Sequence, residues 1–460
     1  MVTVRSRDNN GQFTTPTIRH KQDWSHGLHL LPGGPVSFMW VSGRFSQGGS
    51  SQRRAAGGQR VLLVHRFYAP DVTTYSQMLA MIATKLRLEG DDVSVFTTQP
   101  SYNGIYDGPP LPKKRIEDGV TVVRTSIPGG GTSIGRLLGG IVFGVRLMAH
   151  ALWKRKRYDV IMVSTVPPVV MGACGLAAAR IAKAELVYHC MDLYPEIAIA
   201  SRHAPAGPIA RLATLIDNHT INNAAKTVVL SQDMEQTIAD RGISTERVHI
   251  QNNFTIDSSE SAQSAQLPPE LAKSEKFRLL FAGNIGRFQG LDTLLDAISL
   301  DDSDDTELVF LGGGAAKASL QEQTKKLQIS DRVRFVEHQP LEVALRAMEA
   351  ADLAVVSLAP DLIGSAYPSK TVMYLEMGCR VLAVVEDDSE LAELVTSNQL
   401  GMVANPGDVA GIAAAIATER SREPMPVDVE RARCIAASEF GADSVLAKWP
   451  DLIAEVRPQT

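Results

Sequence analysis

The stretch from Leu279 to Asp292 reads LLFAGNIGRFQGLD. Its first residues are apolar, a loop with three glycines follows, and a helical pattern begins near Gln289. This order predicts a strand, a loop and a helix, and glycines let such a loop approach a ligand closely. Arg287 offers a planar fork for phosphate oxygens, and the helix start adds free N–H groups. We therefore predict phosphate binding here, with a plain turn and a solvated arginine as the alternative.

The same alternation of β-branched runs and longer amphipathic runs continues in both directions from this stretch. Predicted strands before it are Val61–Val64, Val93–Thr97, Val120–Arg124, Val160–Ser164, Leu186–Cys190, Thr227–Leu230 and Val248–Gln251. Predicted strands in the second half are Arg278–Ala282, Leu308–Leu311, Val333–Val336, Leu353–Val356 and Val381–Val385. Helix-length segments such as Tyr75–Leu88 and Leu341–Ala350 separate most of them. This alternation predicts an α/β fold with two Rossmann-like parallel-sheet domains that face a cleft.

The domain boundaries follow from changes in composition. Residues 1–58 are rich in Ser, Gly, Gln, Arg and Asn and are interpreted as a disordered basic tail, with an overlong predicted start as the alternative. The first domain is predicted over 59–257 and the second over 277–426, joined by a Ser-, Gln- and Pro-rich linker over 258–276. Residues 427–460 form C-terminal helices, which we expect to pack back on the first domain.

Composition excludes several classes of protein. The 460 residues include 46 Lys and Arg against 51 Asp and Glu, a net charge of −5, and 44% are hydrophobic. This is ordinary for a globular protein and argues against a dedicated nucleic-acid binder. None of the four cysteines forms a CxxC pair, so a local zinc or redox motif is absent and a reduced, cytoplasmic setting fits best.

The first strand–helix turn runs from His65 to Asp71 and has no G-x-G-x-x-G pattern. A dinucleotide fingerprint is therefore missing there, and no Walker-A sequence occurs in the chain. These two findings argue against a dehydrogenase and against a P-loop nucleotidase.

Polar residues follow the predicted strand Leu186–Cys190. His189, Asp192 and Glu196 fall at or just beyond its end, where ligands of parallel sheets bind. A histidine beside carboxylates can orient sugar hydroxyls or stabilise charge. The alternative is a histidine satisfied inside the sheet, with the acids capping the next helix.

Two further turns in the second half carry weaker signals. Gly312-Gly313-Gly314 follows a strand and permits either the close approach of a nucleotide or a tight turn. Ser369 is a natural helix N-cap, and Lys370 then stands where its charge opposes the helix dipole. A bound anion would offset that repulsion, so this placement favours a functional lysine.

A basic, apolar segment spans residues 134–157. Its apolar residues lead into Lys154-Arg155-Lys156-Arg157, and residues 134–157 contain no acidic residue. Such a helix could lie on an anionic membrane surface or simply cover a sheet. Both interpretations could hold for one helix.

These stretches together resemble the retaining, GT-B fold nucleotide-sugar glycosyltransferases of family 4. The resemblance is closest to the capsule, exopolysaccharide and lipopolysaccharide branch, which includes colanic-acid-type and N-acetylfucosamine-transferase-like enzymes. It covers roughly residues 60–420. The matching stretches are Phe67–Pro70, Ser164–Pro168, Asp192–Glu196, Asn253, Phe281–Asp292, Leu311–Gly314, Ala351-Asp352, Pro368–Gly378 and Pro406–Asp408.

The resemblance implies roles for particular residues. Those implied to be catalytic are His189, Asp192, Arg287 and Lys370. Those implied to bind the donor are Gly283, Asn284, Gly286, Gln289, Gly313, Ser369 and Met373. Those implied to contact the acceptor or the sugar are Tyr68, Thr73 and Glu196. The family's ribose-binding glutamate is replaced by Met373, and Ser365 stands at the earlier glutamate position.

The resemblance implies transfer of a hexosyl or N-acetylhexosaminyl group from a nucleoside-diphosphate sugar to a glycan or polyprenyl-linked acceptor. It implies retention of configuration, no metal and no other cofactor. Residues 134–157 would bring the enzyme to the inner face of the cell membrane, in cell-surface polysaccharide synthesis. The alternatives are a UDP-sugar 2-epimerase, which needs no membrane contact, and a non-catalytic nucleotide-sugar-binding homologue, which Met373 favours.

Overall fold

The computed structural model describes residues 58–71, 73–101, 106, 108–128, 133–200, 207–256, 265–301 and 303–456, with only the backbone at 133, 134 and 136. The predicted tail 1–58 lies outside the described residues apart from Gly58, and so does the first part of the predicted linker. The predicted domain boundaries therefore stay predictions.

The first half of the chain forms one sheet whose described strands run in the order β3-β4-β2-β1-β5-β6-β7-β8. These strands are β1 (Arg60–Val64), β2 (Asp92–Thr98), β3 (Lys114–Glu117), β4 (Val120–Thr125), β5 (Val160–Ser164), β6 (Glu185–His189), β7 (Lys226–Val229) and β8 (Val248–Ile250). Only the edge pair β3 and β4 is antiparallel among these described strands. The helices between them are α1 (Thr74–Leu88), α2 (Ser133–Trp153), α3 (Val170–Ala182), α4 (Glu196–Ala200), α5 (Pro208–Asn223) and α6 (Gln232–Asp240).

Both faces of this sheet are covered, as its continuous apolar strands require. Leu62 and Val64 of β1 face one side, where they join a core cluster with α2, α3 and α5. Val61 and Leu63 face the other side, where they join a cluster with α1 and the C-terminal end of the chain. The period-2 alternation of side chains along β1 thus separates two helical layers.

The second half of the chain forms a parallel sheet with the described order β11-β10-β9-β12-β13-β14. Its strands are β9 (Phe277–Ala282), β10 (Thr306–Leu311), β11 (Val333–Val336), β12 (Leu353–Ser357), β13 (Val381–Val384) and β14 (Gly401–Ala404). Its helices are α7 (Leu291–Leu300), α8 (Lys317–Lys326), α9 (Leu341–Glu349), α10 (Lys370–Glu376), α11 (Glu390–Ser397) and α12 (Val409–Ser421). The predicted fold class, α/β with two parallel-sheet domains, is confirmed.

Two helices end the described chain, α13 (Pro426–Phe440) and α14 (Ala442–Glu455). Helix α13 packs on α10 of the second domain, whereas α14 packs on α1 of the first. Trp449, Leu452 and Ile453 of α14 are buried in the cluster that includes Val61 and Leu63. The expected return of the C-terminus to the first domain is therefore made by α14, after α13 has stayed with the second.

Two strands were missed by the sequence prediction. Strand β3 reads KRIE and is largely exposed at the edge of the first sheet, so it has no apolar alternation to reveal it. Strand β14 reads GMVA and is only half-buried over most of its length. Within the described part of the chain, no helix has both the length and the apolar content that crossing a membrane requires.

Candidate active site

A cavity of about 240 Å³ lies between the two sheets. The first domain contributes Asp192, Tyr194 and Ile197, which follow β6. The second domain contributes residues at the end of β12 and residues that follow β9 and β12, among them Phe288, Gln289, Ser357, Tyr367, Ser369 and Lys370. Both groups come from the carboxyl ends of parallel strands, where such sheets bind ligands.

The loop after β6 holds the two domains together at this cavity. The Leu193 amide donates a hydrogen bond to the Ser365 carbonyl at 2.7 Å, and Asp192 and Ala366 form an isolated antiparallel bridge. Asp192 is half-buried, and its burial raises the pKa of the carboxyl to about 6. A carboxyl near this value can exchange a proton close to neutral pH, which suits an acid–base or orienting role.

An ion-pair network within the first domain holds the same loop in place. Arg241 contacts Glu196 at 2.5 Å and Asp217 at 2.7 Å and donates to the Tyr194 carbonyl at 3.2 Å. The Tyr188 hydroxyl donates to Asp217 at 2.9 Å. Glu196 thus has a partner within its own domain, and its predicted contact with acceptor or sugar stays a prediction.

The predicted phosphate loop packs against the triple-glycine turn of the second sheet. The Ile285 amide donates to the Gly313 carbonyl at 2.8 Å. A Cβ on Gly312 would lie 2.1 Å from the Gly283 carbonyl oxygen, and Gly312 has a φ of +136°. A Cβ on Gly313 would meet nothing within 4 Å. Gly312 is therefore required by the fold, whereas the space at Gly313 is open for a ligand.

Lys370 lies where this loop meets the cavity. Its Nζ lies 4.4 Å from the centre of the Phe281 ring, and a Cβ on Gly283 would come 2.9 Å from its Cε. Burial lowers the pKa of its ammonium to about 8. Among the described residues no carboxylate forms a salt bridge with it. A half-buried cation in this position is poised for an anionic ligand.

The other residues that were predicted to bind the nucleotide-sugar donor differ in whether they line the cavity. Arg287 begins a short 3-10 helix, Arg287–Gln289, and is exposed, as is Asn284. Gln289 lines the cavity and accepts a hydrogen bond from the Gly286 amide at 2.8 Å through its side chain. The rigid turn that results presents Arg287 to the solvent beside the cavity.

Two predicted residues of helix α10 differ in detail from the expectation. Ser369 occupies the N-cap position and lines the cavity, yet its hydroxyl makes no capping hydrogen bond. Met373 is partly buried against the main apolar cluster and does not line the cavity. The backbone at Ser369 is already helical, which takes its hydroxyl away from the usual capping geometry.

His189 is buried inside the first domain and is not among the residues that line the cavity. Its Nδ1 lies 2.8 Å from the Tyr75 hydroxyl, and its ring meets the Trp449 ring edge-on at 5.0 Å. Burial lowers the pKa of its imidazole to about 3, so the ring is neutral at pH 7. This environment matches the alternative of a satisfied interior histidine, and the catalytic role stays a prediction.

Tyr68 and Thr73 also lie outside the cavity lining. Tyr68 is buried in the cluster that covers α1, and Thr73 caps α1 through a hydrogen bond from the Ser76 amide at 3.0 Å. Four of the predicted residues do line the cavity, and these are Asp192, Gln289, Ser369 and Lys370. Tyr194, Phe288 and Tyr367 were missed, although each is a sequence neighbour of a predicted residue, because proximity in sequence does not show which face meets the other domain.

Comparison with known proteins agrees with this architecture. A family model described as "Glycosyl transferase 4-like domain" matches residues 73–253, and a second, "Glycosyl transferases group 1", matches residues 276–418. The two models together span the second sheet, all of the first sheet except β1, and most of the chain. The chain belongs to the GT-B glycosyltransferases.

Named relatives of this glycosyltransferase are distant in sequence. It is 25% identical over 293 residues to "Probable glycosyltransferase WbjE" of Pseudomonas aeruginosa, covering 61% of this chain and 70% of that protein. It is 24% identical over 380 residues to "Putative colanic acid biosynthesis glycosyl transferase WcaI" of Escherichia coli strain K12, covering 78% and 91%. The crystal structure of HepE of Anabaena in complex with UDP matches with a TM-score of 0.62 and 17% identity, covering 86% of this chain and 100% of HepE.

Proposed function

We propose that this glycosyltransferase moves a sugar from a nucleoside-diphosphate sugar to a lipid-linked glycan acceptor, with retention of configuration. The observation that carries the proposal is Lys370, a half-buried ammonium at an interdomain cavity with no salt-bridge partner among the described residues. A cation held this way beside a glycine loop fits the diphosphate of a nucleotide sugar.

The reaction breaks the bond between the sugar C1 and the diphosphate oxygen and forms a bond from C1 to an acceptor hydroxyl oxygen. The acceptor hydroxyl proton passes to an oxygen of the departing diphosphate, which leaves with the bonding electron pair. Negative charge therefore grows on the diphosphate in the transition state. Lys370 and Arg287 would stabilise that charge, which is commonly the largest electrostatic contribution to such catalysis.

On this proposal the first domain binds the acceptor and Asp192 contacts the transferred sugar or the acceptor hydroxyl. Its pKa of about 6 leaves it largely ionised at pH 7, so it can accept a hydrogen bond from a hydroxyl group. His189 would act as a neutral residue that holds Tyr75. The family resemblance implies that no metal is needed, and we propose transfer without a metal cofactor.

The relatives supply the biological setting of the proposal. WcaI carries colanic acid biosynthesis in its name, and HepE was crystallised with UDP. We infer that this chain acts in cell-surface polysaccharide synthesis, that UDP-hexoses and UDP-N-acetylhexosamines are the first donors to test, and that residues 134–157 hold it peripherally at the inner face of the cell membrane.

The experiment that tests the proposal measures sugar transfer from labelled donors to lipid extracts by Arg287→Ala and Lys370→Ala variants. We expect each to lose about a hundredfold or more in turnover, the usual cost of removing one charge-stabilising group. Lys326→Ala is the matched control, since Lys326 is an exposed lysine of α8 that pairs with Glu322 on the same helix. Wild-type rates in both site variants would refute the proposal.

One second candidate function has an observation in its favour. Met373 stands where the resemblance places a ribose-binding glutamate, and it packs, partly buried, against the apolar core. A chain without that carboxylate could bind a nucleotide sugar without transferring it. Donor binding by the wild-type chain with no transfer to any lipid extract would favour this candidate.

A further inference from the structure

We propose that helices α2 and α5 together form a docking surface for an anionic lipid bilayer. The proposal extends the membrane contact suggested above for residues 134–157 to a second helix, and in that respect it rests on the proposed function. Both helices pack against α3, which contacts strands β5 and β6 of the first sheet, so the three helices form one layer on that sheet. Their outward faces therefore point to the same side of the domain.

Helix α2 exposes a stripe of large apolar residues. Leu138, Ile141, Val145 and Leu152 follow helical spacing and are all exposed. Trp153 ends the stripe with 87% of its side chain accessible, and the Lys154 Nζ lies 5.9 Å from its ring centre. Tryptophan beside basic residues is the combination that anchors proteins at the headgroup level of a membrane.

Helix α5 repeats the pattern, although the sequence did not draw attention to it. Ile209 is 85% exposed and Leu215 is 66% exposed, and Leu212 and Ile216 lie on the same side of the helix. The inward side of α5 carries Asp217, Thr220 and Ile221, which are buried. Helix α3 lies between α2 and α5 and contacts both. An exposed apolar face on each flanking helix exceeds what scattered surface residues provide.

The charges of this layer complement an anionic surface. Helices α2, α3 and α5 contain one acidic residue, Asp217, and it is buried in an ion pair with Arg241. Exposed basic residues lie within these three helices or directly after them, and these include Arg155, Lys156, Arg157, Arg180, Lys183 and Arg211. The chain as a whole has a net charge of −5, whereas the charged residues of this layer are mainly basic. Basic residues near a bilayer surface attract acidic headgroups, and apolar residues enter between them.

The test is flotation of the full chain with vesicles of pure phosphatidylcholine and with vesicles containing phosphatidylglycerol in addition. The wild type should float with the anionic vesicles and should not bind the neutral ones. Leu152→Glu on α2 and Leu215→Glu on α5 should each lower the bound fraction about tenfold, since each removes an exposed apolar side chain that would enter the bilayer and adds a charge that acidic headgroups repel. Leu300→Glu on α7 of the second domain is the matched control, because Leu300 is 59% exposed in wild type.

Separate outcomes address the proposal and the function. If Leu215→Glu binds vesicles as well as the wild type does while Leu152→Glu no longer binds, the proposed role of α5 is overturned. Helix α2 alone would then be the docking helix. A wild-type chain that ignores anionic vesicles, or a dimer in light scattering that Leu215→Glu dissociates, would overturn the membrane surface altogether. Vesicle binding requires neither donor nor acceptor, so these results do not depend on sugar transfer. Unchanged melting temperatures in all variants show that the fold is intact.

Discussion

At the scale of single residues, the chemistry converges on Lys370. Its ammonium faces an aromatic ring and an open glycine loop rather than a carboxylate, and burial lowers its pKa to about 8. Placing a cation in such a setting has a free-energy cost that an anionic ligand offsets. The free-energy cost of burying the Lys370 ammonium is therefore offset only when an anion binds beside it.

The first prediction concerns the pH dependence of diphosphate binding. Below pH 8 the free Lys370 is protonated and attracts the ligand, and above pH 8 it loses its proton. A bound diphosphate raises the pKa of the ammonium, so affinity should fall above pH 8 by up to about tenfold per unit. Calorimetry with UDP between pH 7 and 9.5 measures this, because a terminal phosphate with a second pKa of about 6 is already largely ionised at pH 7.

The control for this pH dependence is Lys370→Arg, because a guanidinium stays protonated throughout that range. The variant should bind UDP with little pH dependence up to pH 9.5, even where its affinity differs from that of wild type. An equal fall in affinity in both proteins would assign the titration to another group and contradict the role of Lys370.

The second prediction compares two neighbouring glycines. Gly313→Ala adds a methyl group into open space, so the melting temperature should stay within a degree or two while the KM for the donor rises. Gly312→Ala places a methyl group 2.1 Å from the Gly283 carbonyl oxygen at a φ of +136°, so it should lower the melting temperature markedly. A Gly313→Ala enzyme with an unchanged KM would show that the donor does not approach this turn.

At the scale of elements, helix α14 links the end of the chain to the first domain. Trp449 is buried in the cluster that includes Val61 and Leu63 of β1, and its ring contacts the His189 ring, although it lies far from both in sequence. Sequence periodicity revealed a helical C-terminus but could not show which residues Trp449 packs against. For the same reason the surroundings of His189 were not predictable: its partners come from α1 and α14, and both depend on tertiary packing.

The third prediction tests this packing with two tryptophans. Trp449→Ala should lower the free energy of unfolding of the first domain by about 3–5 kcal/mol, the usual cost of removing a large buried aromatic side chain. Trp153→Ala should have little effect, because 87% of that side chain is exposed. Thermal or urea denaturation followed by circular dichroism measures both. Equal melting temperatures for the two variants would contradict the docking of α14.

At the scale of the whole molecule, the two-domain α/β architecture was predictable because strand and helix periods are local properties of the sequence. The cavity was predictable in part. Asp192, Gln289 and Lys370 follow strand ends or begin a helix, and those signals are local. Tyr367 enters the site through the bridge between Asp192 and Ala366, which joins the two domains. No local pattern encodes such a contact, so residues that depend on it were missed.

The central claim is that the interdomain cavity binds a nucleoside diphosphate through Lys370. The most direct test is a thermal-shift panel of UDP, GDP, ADP, dTDP and CMP with the wild type and Lys370→Ala. A ligand at a hundred times its Kd stabilises the folded state by about 2.7 kcal/mol. We expect one diphosphate to raise the wild-type melting temperature and to lose most of that effect in Lys370→Ala. No shift with any nucleotide at millimolar concentration, or an equal shift in both proteins, would contradict the claim.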